Sequence, residues 1–140
     1  MQSNRLNLLL GLGVFVIFAL ACSASTANLS SLKVGKDKTV TQEASSFAPN
    51  DTVYAVAEVS NAPGAVKVTG RLAIEDVEGE TSGPIAGLEK TVDLPGSGTA
   101  TYTFSPPPSG WPKGKYKVEV HMLNEAGEQK DQKSASFTVN

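Results

Sequence analysis

The side chains best suited to chemistry in this 140-residue sequence are few. Cys22 is the only cysteine, His121 the only histidine and Trp111 the only tryptophan. The densest acidic run is Glu75-Asp76-Val77-Glu78-Gly79-Glu80. His121 lies in an alternating stretch on the same face as Lys117 and Glu119, so an outward, solvated imidazole is expected. Its neighbour Met122 points the opposite way and cannot readily share an ion with it. One histidine and one cysteine also fall short of a tetrahedral zinc set, and no metal site is expected. The acidic run departs from the D-x-[DN]-x-[DN]-G calcium frame and reads as a solvated turn between strands. Gly96-Ser97-Gly98 lacks the G-x-S-x-G frame of a nucleophile elbow. No catalytic residue and no cofactor are therefore expected, and the chain reads as a non-enzyme. Trp111, in a Pro/Gly-rich loop, has two readings: a contact for a ligand or partner, or a ring that closes one end of the core.

Cys22 acquires its meaning from what precedes it. Met1 to Asn7 is polar and carries Arg5, and Leu8 to Ala21 then has no charged residue. As a helix these 14 residues would span about 21 Å, short of the ~30 Å hydrocarbon core but typical of a signal-peptide apolar region. Small side chains at Ala19 and Ala21 suit the shallow pockets of a signal peptidase. The segment Ala19-Leu20-Ala21-Cys22 resembles the bacterial lipoprotein signal family, with Ala19 where Leu is commoner. The resemblance implies cleavage between Ala21 and Cys22 and a diacylglycerol thioether on Cys22. Ala19-x-Ala21 equally satisfies the general A-x-A rule, which would release a soluble secreted or periplasmic chain. A lone cysteine in an exported protein needs a partner or a reason, and lipidation supplies one.

Removing residues 1–21 takes away Arg5 and no acidic residue, leaving 11 Lys/Arg against 14 Asp/Glu and a net charge of −3. That balance excludes the basic footprint of a nucleic-acid binder. With Cys22 alone, no internal disulfide forms, so stability must come from a packed core. Residues 22–37 read as the lipidated cysteine and a flexible Ser/Ala/Thr-rich tether reaching about 20 Å; Leu32 and Val34 alternatively begin a first strand. Residues 38–140 read as one domain.

Period-two alternation dominates beyond residue 50. Val53, Ala55, Ala57 and Val59 share a face, as do Val66, Val68, Gly70, Leu72 and Ile74. Ala100, Tyr102 and Phe104 alternate with Thr99, Thr101 and Thr103. Tyr116, Val118, Val120 and Met122 share a face, as do Ala135, Phe137 and Val139. Such runs predict strands with one buried and one wet face. A weaker strand is expected over Leu88–Leu94 and another near residues 38–43. Turn clusters such as Asn61-Ala62-Pro63-Gly64 and Pro95-Gly96-Ser97-Gly98 leave no room for helical crossovers. The fold class is all-β: a single antiparallel two-sheet sandwich of about seven strands.

The stretch Trp111-Pro112-Lys113-Gly114-Lys115-Tyr116-Lys117-Val118 resembles the E–F corner of immunoglobulin-like and fibronectin-III-like domains. That resemblance implies a structural corner in which Gly114 permits the sharp turn and Tyr116 bonds back to backbone. Phe47 to Val139 is similar to extracytoplasmic immunoglobulin-like modules of bacteria. Together these readings imply a non-catalytic cell-envelope protein, held to the cell or outer membrane through its lipid and presenting a structural or binding domain to an envelope protein or glycan. The alternatives are an inhibitor or accessory factor acting on an envelope enzyme through a loop, or weak carbohydrate binding through Trp111.

Overall fold

The computed structural model describes residues 27–140. Residues 1–21, and Cys22 with them, lie outside the described residues. Eight strands follow one another: β1 (Asn28–Gly35), β2 (Ser46–Phe47), β3 (Val53–Ser60), β4 (Val66–Val77), β5 (Gly83–Leu94), β6 (Gly98–Phe104), β7 (Gly114–Leu123) and β8 (Gln129–Val139). No helix occurs among the described residues. They form an immunoglobulin-like sandwich of a three-stranded sheet, β1-β3-β6, against a five-stranded sheet, β2-β8-β7-β4-β5. Every pairing is antiparallel except the two-residue contact of β2 with β8, which is parallel.

The alternating runs become the facing walls of the core. Val53, Ala55, Ala57 and Val59 of β3 and Ala100, Tyr102 and Phe104 of β6 are buried, as are Tyr116, Val118, Val120 and Met122 of β7. In β4 the alternation holds through Leu72, and then a bulge between Ile74 and Asp76 inserts Glu75. The shift turns Val77 inward and aims Asp76 out, as an extra residue in one strand must. Ala73, expected to be wet, is fully buried between Lys117 and Pro84 in the register.

Two expectations about the amino-terminal side are corrected. No strand forms at residues 38–43; these residues turn, with the Asp37 carboxylate accepting from the Thr41 amide (3.1 Å) and the Thr39 hydroxyl (3.0 Å). The first strand is β1, so residues 28–37 belong to the sandwich rather than to a tether. Its apolar residues hide their period because a bulge between Leu29 and Ser31 adds a residue. With that insertion Leu29, Leu32 and Val34 stand opposite Val59, Ala57 and Ala55. The Leu29 amide at the bulge donates to the Asp131 carboxylate on β8 (2.8 Å), linking the two sheets. β5 is also longer than expected: it begins at Gly83 and is broken in register near Gly87, whose φ is 81°.

A second bond crosses the core. The Tyr102 hydroxyl on β6 donates to the Val68 carbonyl on β4 at 2.6 Å, and the ring is 1% exposed. The ring fits only because residue 70 has no side chain: a Cβ on Gly70 would lie 2.7 Å from Tyr102 ring carbons. Burial pushes the Tyr102 hydroxyl above the ordinary phenol range. A raised folded-state pKa favours the protonated hydroxyl, so this stability is full below about pH 10 and declines as alkali ionises the unfolded-state phenol.

Gly70→Ala should therefore cost about 1–3 kcal/mol by overpacking, and Tyr102→Phe about 1–3 kcal/mol by leaving a buried carbonyl short of its partner. Urea titrations check both; two neutral variants would remove the cross-core role assigned to this pair.

Candidate functional site

At one end of the sandwich, three loops and the start of β1 meet. The loops are Asn61–Ala65 after β3, Pro95–Ser97 after β5, and Asn124–Glu128 after β7. Each has a local reason for its shape. Asn61 takes φ 57°, a left-handed conformation that Asn tolerates. The Ala62 amide then donates to the Ser97 hydroxyl at 3.0 Å, tying the first loop to the second. In the third loop the Asn124 side chain accepts from the Glu128 amide (3.0 Å), and Gly127 supplies φ 82°. Between them lie two adjoining hollows of about 450 and 380 Å³ that share Ala65, Val66 and Glu125. Met122 and Val66 line the first, and Ala27, just before β1, contributes to its wall. Lys67 pairs with Asp93 at 3.1 Å beside the second, and Lys130 lies 3.8 Å from Glu128 near the first. The result is an open groove with apolar walls and charges of both signs at its rim. Such a surface can hold an apolar or amphipathic partner; it does not assemble a nucleophile with a base.

The opposite end contains the residues singled out by the corner motif. Gly114 has φ 149°, and a Cβ there would sit 2.5 Å from the Asp76 carbonyl. Two residues on, the Tyr116 hydroxyl donates to the Pro112 carbonyl at 2.5 Å. Its ring stacks on Phe137 at 5.6 Å and meets Trp111 edge-on at 6.2 Å. Burial, with the nearby Glu80 charge, raises the Tyr116 pKa.

Trp111 is corrected as a ligand or partner contact. Only 5% of it is exposed, its amide donates to the Pro49 carbonyl (2.7 Å), and its indole N–H donates to the Asp51 carbonyl (2.8 Å). The ring closes the core and offers no platform. The Asp51 carboxylate accepts from the Ala48 amide (2.8 Å), which with Lys36 holds its pKa below the ordinary carboxylate value.

His121 also differs from the solvated imidazole expected. It projects from the outer face of the five-stranded sheet, but its side chain is only 19% exposed. Nδ1 lies 2.8 Å from the Gln129 side-chain oxygen, and Nε2 lies 3.9 Å from the Glu119 carboxylate. Glu119 is engaged by Arg71 at 3.3 Å. A depression of about 210 Å³ here is lined by Lys117, Glu119, His121, Gln132, Lys133 and Ser134. Nδ1 thus meets an amide oxygen, while Nε2 is buried without a hydrogen-bond partner. Among the described residues, no group of three His, Cys, Asp or Glu side chains is placed to hold a metal ion. The acidic run ends β4 and enters the turn to β5. There the Glu75 carboxylate accepts from the Ser136 hydroxyl, and Gly79 takes φ 81°.

No protein-family model matches the chain, and no curated protein matches it. Among solved structures it is similar to a Niemann-Pick type C2 protein from the Japanese carpenter ant (12% identity, 85% of this chain and 96% of that one, TM-score 0.48). It is also similar to the PmoD soluble domain from a Methylocystis species (14% identity, 78% and 89%, TM-score 0.43). A third is the ASH/PapD-like domain of human CEP192 (13% identity, 80% and 85%, TM-score 0.35).

The loop-end groove is the feature that sequence reading missed. Its Gly/Pro/Asn clusters are legible as turns, but their convergence depends on strand order.

Tyr116→Phe keeps the ring and removes the corner bond, and should cost about 1–3 kcal/mol. Tyr116→Ala also opens a cavity beside Phe137 and Trp111 and should cost about 3–5 kcal/mol. Denaturant titration of the two separates the hydroxyl from the ring; a neutral Tyr116→Phe would deny the corner its hydrogen bond.

Proposed function

We propose that this chain is a lipid-anchored, non-catalytic module of the bacterial cell envelope, tethered through Cys22 and binding through the groove at its loop end. One observation carries the reading: the sole cysteine follows an apolar stretch and Ala19-Leu20-Ala21, and it stands five residues before Ala27 on the groove wall. A cysteine so close to a folded domain, with no second cysteine to pair with, suits covalent lipid attachment. Diacylglycerol plus an amide-linked chain gives lasting anchorage where a single chain would be marginal. An open groove with apolar walls supports binding. A glycan partner loses its best candidate residue with Trp111 buried, which leaves the loop end as the recognition surface.

Expression in a bacterial host with labelled palmitate should mark the wild-type chain, and Cys22→Ser should lose the label. Globomycin should accumulate the uncleaved precursor. Undiminished labelling of the Cys22→Ser variant would overturn the proposal.

A further inference from the structure

We infer that the loop-end groove is a membrane-apposed surface, and that its partner is the phospholipid headgroup layer of the bilayer holding the Cys22 lipid. The inference rests on lipidation of Cys22 and goes beyond it by naming what the groove faces. Reach comes first. Four residues, 23–26, lie between Cys22 and Ala27, and even fully extended the five steps from one to the other span at most about 18 Å. The 12-residue strands β4 and β5 run about 40 Å. The end bearing Ala27 is thus held within headgroup distance of the bilayer, while the far end has length enough to stand clear of it.

Position comes second. Ala27 is itself part of the groove wall, so the tether leaves the domain from the groove rather than from a neutral flank. Asn28, Ser60 and Gly98 share this end in one sheet, and Val66, Leu94 and Leu123 share it in the other. All three loops of the groove therefore face the same direction as the tether.

Charge comes third. Asn61–Ala65 and Pro95–Ser97 carry no charged residue, and their tips are Ala, Pro, Gly, Ser and Asn, whereas Asn124–Glu128 carries Glu125 and Glu128. At the far end stand Lys36, Asp37, Lys38, Glu43, Glu78 and Glu80. The two uncharged loops approach a headgroup layer without repulsion from its phosphates, and at the third Lys130 lies 3.8 Å from Glu128. The paired rim charges, Lys67 with Asp93 and Lys130 with Glu128, match a zwitterionic surface, where phosphate and amine alternate. The groove walls between them accept the apolar part of the interface.

The test uses the purified lipidated protein in phosphatidylcholine vesicles containing a nitroxide-headgroup lipid. Lipidation consumes the Cys22 sulfur, so an introduced cysteine is the single free thiol and takes a bimane label. Ala126→Cys places the label at the groove, and Ser109→Cys places it in the β6–β7 loop at the far end. The Ala126→Cys label should be quenched at least twofold more than the Ser109→Cys label. Adding Ala65→Glu to the Ala126→Cys protein puts a carboxylate on the groove wall and should lower that quenching. Equal or reversed quenching in protein that still floats with the vesicles overturns the inference while lipidation stands. Quenching indifferent to Ala65→Glu overturns the part played by the groove. Failure to float, with a second free thiol at Cys22, overturns lipidation and this inference with it.

Discussion

The sandwich depends on a single contact through its middle, where Tyr102 from the three-stranded sheet lies over Gly70 of the five-stranded sheet and bonds to the Val68 carbonyl. Two sheets can pack on apolar area alone, but area does not select a register; interior side chains interdigitate only in arrangements free of clashes. A tyrosine that fits where a side chain is missing, and whose hydroxyl needs one particular carbonyl, makes neighbouring registers costly. A slip of one residue would drive the ring into a side chain and strand a buried hydroxyl. The Leu29–Asp131 bond adds a second, more peripheral tie between the sheets. In a domain without cysteines these directional contacts supply the definition that an inter-sheet disulfide supplies in antibody domains.

The two ends of the sandwich are built on different principles. At the corner end Trp111, Tyr116, Phe137 and Phe47 form a continuous aromatic plug, and the Trp111 and Tyr116 polar atoms are consumed by backbone carbonyls. Beside this plug, Lys36, Asp37, Thr41, Gln42, Glu43 and Ala44 line a polar hollow of about 420 Å³. At the other end small residues replace aromatics, the loops stand apart, and the core's own Met122 and Val66 line an open groove. Packing is dense and aromatic at one end and open at the other.

How much of this was legible in the sequence follows from where a local pattern mirrors a local environment. β3, β6 and β7 have one dry and one wet face throughout, so strict alternation announced them and their buried residues. β1 resembles a tether in sequence because its bulge spaces Leu29, Leu32 and Val34 by three and then two, which matches neither period. β5, an edge strand with half-buried Ile85, Leu88, Val92 and Leu94, shows only a diluted pattern, interrupted at Gly87. The corner motif was readable because donor and acceptor are four residues apart, Tyr116 and Pro112. The partners of Trp111 are about sixty residues away in sequence, and the groove draws on four separate segments. Contacts of that kind are properties of topology, and no window along the chain contains them.

The direction in which β1 leaves the sandwich has a mechanical consequence. β1 pairs along its length with β3 and is bridged at its far end by Glu43 and Ala44, and the chain emerges at Asn28 from the end opposite the carboxyl terminus beyond Val139. A pull applied through the amino terminus and resisted at the far end therefore acts along the strands. It shears the β1–β3 bonds together instead of peeling them one by one, and the Leu29–Asp131 bond shares the load from the first residue. Resistance to such a force is set by the rate of unfolding rather than by equilibrium stability. A domain tied at that terminus can thus bear tension as a unit, although its edge strand is among the shorter ones.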